Sequence, residues 1–328
     1  MSSVRLSPDG QAIALLCSTL ALPRDAATRP LTPKDWSSLA ASIHASELGT
    51  PNALFGLDAG DIADSLGVSG EAAGRVAELL SRGGQLAIEV EHLSARGVWI
   101  ITRADDGYPP LFRTRLKATA PPVLFGVGDP SVLAERSIAV VGSRDADEAS
   151  VGFATALGHS CARNGIAVVS GGARGIDSAA MLAAVDGGGK AIGIVAEALD
   201  RATRRPDFRT HLADGELTLL AVKHPAAGFS VGDAMGRNRL IYSLAEAAVV
   251  VASGESGGTR AGALENLKAG WVPLFVREET DAPDGNRELL SAGGLPITRE
   301  DLDGDSFLDR LGERPAVDYQ PTLDEAAG

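Results

Sequence analysis

Only two cysteines, Cys17 and Cys161, occur in 328 residues, too far apart for a CxxC or a Cys/His metal spacing. That argues against a disulfide-stapled scaffold and a zinc module, and it fits a cytoplasmic, reduced protein with two buried thiols. Aromatic residues are scarce, at 4%. The core must therefore be built from Ala, Val, Leu and Ile, which suits helices on a parallel sheet better than an aromatic-rich sandwich. No apolar run reaches the roughly 20 residues that a membrane helix needs. The N-terminal run Ala12 to Leu22 is short and interrupted, and Arg5 and Asp9 cancel one another before it, so a signal peptide fits poorly. It reads instead as the first helix of a small domain. Positive charge is also in deficit, with 30 Lys+Arg against 43 Asp+Glu and a net charge of −13. A protein that coats nucleic acid by bulk attraction is thereby disfavoured, and any polyanion site has to be one face of an acidic surface.

What the chain does have is glycine (39) and long stretches of Val, Ile and Ala. Three blocks emerge. Residues 1–95 read as short helices: Thr32-Pro33 is an N-cap and first-turn pair. Residues 58–83 give two further helices, broken between Gly67 and Gly70 and ending at Gly83, in a helix-hairpin-helix or SAM-like arrangement. Residues 96–308 begin with an extended connector carrying strands at Val98–Thr102 and Val123–Val127 around rigid Pro-Pro pieces. From Arg136 on, the pattern is strand, glycine turn, helix, repeated: SIAVVGS, a helix from about Ala149 to Asn164, IAVVSGG, a helix over Ile176–Val185, KAIGIVA, LTLLAVK, AAVVVAS, a helix over Arg260–Lys268, and VPLFV. Continuous apolar strands of this length alternating with helices predict an α/β fold with a doubly wound, mostly parallel Rossmann-like sheet. Residues 309–328 are polar and read as a flexible tail.

In such a sheet ligands sit beyond the carboxyl ends of the strands, where the strand order reverses. The residues after each strand are therefore the candidates. They are Gly142, Ser143 and Arg144; Ser170, Gly171, Gly172, Ala173 and Arg174; a glycine-flanked Arg237, Asn238 and Arg239; and Ser256, Gly257, Gly258 and Thr259. Glycine lets backbone N–H groups approach a ligand, the helix behind adds about half a positive charge, and arginine gives bidentate hydrogen bonds to phosphate. Asp177 would orient the helix start, or Arg174 could merely pair with it across one turn. Arg201, Arg204, Arg205 and Arg209 read as a solvated loop, although they follow the third strand and so stand on the same edge. No GxGxxG and no GxxxxGK[ST] occurs, which disfavours the usual dinucleotide and P-loop modes. Catalysis finds little support: the five histidines are scattered, GxSxG is lacking, and no acidic cluster has metal-ligand spacing. No catalytic residue, metal or cofactor is assigned. Glu265 is the one carboxylate placed to act as a base or ribose contact.

The segments IAVVGSR, GIAVVSGGARGIDSAA, GRNRLIYSLAEAAVVVAS and SGGTRAGALENLKAG, in that order, resemble the DprA/Smf family of DNA-processing proteins, over about residues 97–298. The resemblance implies a non-enzymatic protein that binds single-stranded DNA and brings a RecA-type recombinase to incoming strands during natural transformation. It also implies a homodimer formed through the Rossmann-like domain. By motif match, Arg144, Ser170, Gly171, Gly172, Arg174, Arg237 and Arg239 would contact phosphates and Asp177 would hold the loop. The chain departs from the family pattern at Gly171-Gly172, at Met235-Gly236 and in the loop ending at Thr259. That last loop leans toward the Gly-Gly-x-Gly-Thr turn of lysine-decarboxylase-like relatives. A nucleotide-binding sensor or N-glycosidic hydrolase of that superfamily is the alternative expectation.

Overall fold

A computed structural model describes residues 6–23, 26–228, 231–303, 307, 310 and 311. Five helices precede the first strand: α1 (Pro8–Cys17), α2 (Pro33–Ala45), α3 (Ala59–Leu66), α4 (Gly70–Leu80) and α5 (Gly83–Ala95). Their starts follow from capping chemistry. Ser7 caps α1, and Thr32 and Asp35 form a reciprocal capping box on α2. Asp58 and Ser69 cap α3 and α4, with Gly67 in the left-handed region (φ 63°) ending α3. The sequence ends the second helix of the Gly67–Gly70 pair at Gly83, whereas α4 ends at Leu80 and a further helix, α5, starts at Gly83. Between α4 and α5 the Arg82 guanidinium is buried and donates to the carbonyls of Leu15, Leu20 and Leu79. One side chain thus caps the end of α1 and fixes a turn that glycine alone leaves ambiguous. Gly74 lies within α4 with nothing within 4 Å of an added Cβ. Gly74→Ala is therefore expected to raise the unfolding free energy by about 0.5–1 kcal/mol, read as a higher midpoint in urea at unchanged slope.

The remaining elements are β1 (Trp99–Thr102), α6 (Pro110–Leu116), β2 (Val123–Val127), β3 (Ser137–Gly142), α7 (Glu148–Arg163), β4 (Ala167–Ser170), α8 (Ile176–Asp186) and β5 (Ala191–Ile194). They continue with α9 (Leu199–Ala202), α10 (Pro206–Asp214), β6 (Leu217–Ala221), α11 (Val231–Leu244), β7 (Ala247–Ala252), α12 (Gly258–Ala269), β8 (Leu274–Arg277), α13 (Asp284–Ser291) and β9 (Leu295–Ile297). The strands form one nine-stranded sheet in the order β1-β2-β6-β5-β4-β3-β7-β8-β9. All neighbours from β6 to β9 are parallel, and β1 and β2 add an antiparallel margin. This is the doubly wound sheet expected. β9 extends it by one strand beyond those read from the sequence.

Alternate residues of each strand face opposite layers, so two cores form. Ile138, Val140, Val168, Val249 and Val251 join one core with Phe153 and Leu157 of α7 and Ala180 of α8. That same core runs on into Leu15, Leu79 and other residues of the N-terminal helices. Ala139, Val141, Val169, Ala248 and Val250 join the other, with Phe112, Ile241, Tyr242, Ala263 and Leu289. Among the described residues no helix is long and apolar enough to cross a membrane. Residues 312–328 of the expected tail lie outside the described residues.

Two local readings need correction. Arg237, Asn238 and Arg239 lie on a helix, α11, rather than in a loop. Gly236 costs helix propensity, but Leu240, Ile241 and Leu244 just beyond it bury against the sheet, and packing outweighs propensity. The arginine-rich stretch after β5 is likewise built into α9 and α10, with Pro206 in the first turn and Phe208 and Leu212 buried one turn apart.

Candidate anion-binding crevice

The chain winds outward from β3 through β4, β5 and β6, then returns to place β7 on the other side of β3. The strand order therefore reverses between β3 and β7, and the crevice opens past their carboxyl ends. Ser143 N–H donates to Ala252 O at 2.9 Å, tying the β3 exit to the β7 exit. Thr259 Oγ1 donates to Gly142 O (3.1 Å), and Asn238 Nδ2 donates to Gly258 O (3.0 Å). Ile176 N–H donates to Ser143 O (3.3 Å). Four segments distant in sequence are thus fastened around one opening.

That opening is a cleft of about 830 Å³ lined by Gly142, Ser143, Arg144, Ala173, Asp177, Met235, Arg237, Asn238, Ser256, Gly257, Gly258 and Thr259, among others. A second hollow of about 500 Å³ adjoins it, lined by Gly171, Gly172, Ala173, Arg174, Glu197, Arg201 and Arg205 and sharing Arg144 and Arg237 with the first. α12 has no side-chain N-cap, so its first N–H groups face this edge as donors for an anion, whereas α8 gives the N–H groups of Ile176 and Ser178 to Ser143 O and Ala173 O.

Arg237 stands at the junction and is 8% exposed. Its Nη1 donates to Gly171 O (2.8 Å) and to Ile194 O, while its buried Nε has no partner among the described residues. Burial, chiefly, pulls its pKa below the usual value; nearby Asp177 opposes this and the like charge of Arg144 adds to it. Asp177 is buried, which pushes its carboxyl above the usual range. Arg237 is the main opposing influence, followed by Ala173 N–H, which donates to Asp177 Oδ2 at 3.4 Å. Asp177 is therefore bound into the loop and does not pair with exposed Arg174 among the ion pairs of the described residues. At Gly171 an added Cβ would come within 2.6 Å of both Arg237 Nη1 and Asp177 Oδ2, so a side chain there would have to displace that pair.

The structure brings most of the sequence candidates together and sets two aside. Ser170 is fully buried beneath the rim and gives its hydroxyl to Val140 O at 2.5 Å. Arg239 turns to another hollow, where its Nη2 reaches Thr119 O at 3.4 Å. Glu265 is exposed on α12 and lines none of these cavities. Two residues that sequence reasoning set aside belong to the site. Arg205 donates to Gly172 O, Ser178 Oγ (3.1 Å) and Asp207 (2.6 Å), stacked 3.8 Å over the Phe208 ring. It braces the loop, whereas Arg201 stands exposed on the wall beside Glu197. The signal for both was their place after the third parallel strand. Among the described residues no group of His, Cys, Asp and Glu is arranged to hold a metal ion.

A doubly wound sheet whose switch point carries glycine turns, an uncapped helix start and five arginines defines a Rossmann-like protein with an arginine-lined crevice at its switch point. The chain belongs to the DNA recombination-mediator protein A family, whose model matches residues 99–301. It is 32% identical over 242 residues to a DNA processing protein DprA of Mycobacterium tuberculosis, a match covering 68% of this chain and 60% of that one. With DprA of Bacillus subtilis it shares 30% over 188 residues, 56% of this chain and 63% of the relative. The match thus spans about three fifths of each relative's length. The fold is that of DprA from Streptococcus pneumoniae (TM-score 0.64, 22% identity, 87% of this chain and 99% of that one). It is also that of DNA processing protein A from Helicobacter pylori, described for its single-stranded DNA binding mode (TM-score 0.52, 24% identity, 64% of this chain and 92% of that one).

Proposed function

We propose that this protein binds single-stranded DNA along the crevice and serves as a recombination mediator, handing the strand to a RecA-type recombinase in the cytoplasm. The observation that carries the reading is the pair of adjoining hollows joined through Arg144 and Arg237. A single nucleotide phosphate would occupy one hollow, whereas a chain of phosphates can run through both. Arg144 and Arg237 repel one another in the free protein, and a phosphate between them relieves that repulsion. The site is local, which reconciles polyanion binding with a net charge of −13. The Helicobacter relative's single-strand binding and the family's recombination-mediator description support the same reading. Homodimerisation and a role in taking up incoming strands during natural transformation belong to this proposal.

The test is a titration of a fluorescent thymidine oligomer at increasing salt. With three to four phosphates neutralised, log K should fall against log salt with a slope of about −2 to −3, at about −0.7 per phosphate on single strands. A salt-independent affinity would sink the reading. So would a thermal-shift panel in which free nucleotides stabilise the protein and oligomers do not, since only a ligand of the folded state raises its melting temperature. That second outcome would point to the nucleotide-binding alternative.

A further inference from the structure

Phosphate neutralisation accounts for the arginines of the crevice but leaves one of its walls unexplained. The exposed large apolar side chains among the described residues are Phe55, Ile88, Val222 and Met235. Only Met235 of these lines the crevice, and it is 52% exposed. It stands on α11 one turn before Asn238, whose side chain holds the start of α12, and two residues before Arg237. Val141, Ile241, Tyr242 and Ala261 continue an apolar lining from it into the cleft. Arginine is thus shared between the two hollows, while the larger one carries an apolar wall beside it.

A polar backbone has no use for an exposed thioether. The face of a nucleobase does, because a flexible, polarisable sulfur packs favourably on an aromatic plane. In a duplex those faces are stacked away and only base edges are accessible, whereas in a single strand they are free. We infer that Met235 is a base-contacting residue: it packs against nucleobases whose phosphates rest on Arg144 and Arg237, and it makes the crevice favour unpaired strands over duplex. The inference rests on the single-strand reading above and gives it a second, uncharged component. Any base offers such a face, so the contact predicts little sequence preference.

The test compares a thymidine 15-mer with a 15-mer of abasic sites, which keeps the phosphates and removes the bases, by fluorescence anisotropy. The wild-type protein should bind the thymidine oligomer about fivefold more tightly, the scale of one sulfur–aromatic contact. Met235→Ala should bring the thymidine affinity down to the abasic level while leaving abasic affinity and the salt slope unchanged. Met235→Trp should restore the preference, and its indole fluorescence should be quenched by the thymidine oligomer and not by the abasic one. Equal wild-type affinity for the two oligomers would overturn the inference while leaving strand binding intact. An equal loss for both in Met235→Ala would also overturn it. Failure of both oligomers to bind would remove the single-strand reading itself, and this inference with it.

Discussion

Arg237→Ala should lose about thirtyfold to a hundredfold of its affinity for a single-stranded oligomer, the scale of about 2–2.7 kcal/mol for one buried, hydrogen-bonded charge contact. The size of the effect comes from position. Arg237 is the buried arginine of the site, held by the Gly171 and Ile194 carbonyls, and it lines both hollows. Burial at a protein edge raises the strength of every electrostatic contact it makes with an entering phosphate. Arg174 and Arg201 are exposed charges by comparison, and alanine at either should cost only a few-fold in affinity. Arg237→Lys separates charge from geometry. It keeps the cation, but its one nitrogen would be taken up by the two carbonyls that Nη1 now holds and no second guanidinium nitrogen would be left for a phosphate, so most of the affinity loss should remain. Equal affinity in Arg237→Ala and wild type, measured at two salt concentrations, would remove this residue from the site.

The second large effect is expected at Gly175, which ends the loop before α8 with φ 84° and ψ −132°. A side chain there is strained in itself, by about 1–3 kcal/mol. The added Cβ would also sit 2.5 Å from Ser143 O and 2.7 Å from Arg144 O, backbone atoms that cannot swing aside. Gly175→Ala should therefore destabilise the fold by about 3 kcal/mol or more, and it should push apart the β3 and β4 loops that form the rim. Gly188 is the matched control: its φ is +79°, yet nothing lies within 4 Å of an added Cβ. Gly188→Ala should cost only about 1 kcal/mol. Urea melts of the pair measure the difference. Equal costs would mean that crowding at the rim contributes nothing.

Much of this was legible in the chain. Val-, Ile- and Ala-rich strands alternating with helices can bury both faces only as a doubly wound sheet, and the candidate loops follow from that sheet's carboxyl edge. The helical state of Gly236-Arg237-Asn238-Arg239 was not legible, because Gly236 argues locally for a break and only burial of Leu240, Ile241 and Leu244 reverses it. For the same reason Arg205 read as surface: its partners Gly172 and Ser178 are about thirty residues away in the chain.

The amino-acid order alone determined that the chain forms strands and helices in a fixed alternation, since the spacing of apolar residues is a local property that each segment carries by itself. Which charges face one another was decided only in three dimensions. Arg237 reaches the crevice while Arg239, two residues on, leaves it, because positions two apart on a helix point roughly 200° from one another. Ser170 likewise is the last residue of a strand that ends at the rim, yet its hydroxyl is spent beneath it on Val140 O. Sequence proximity marks the neighbourhood; helix phase and burial choose the residue.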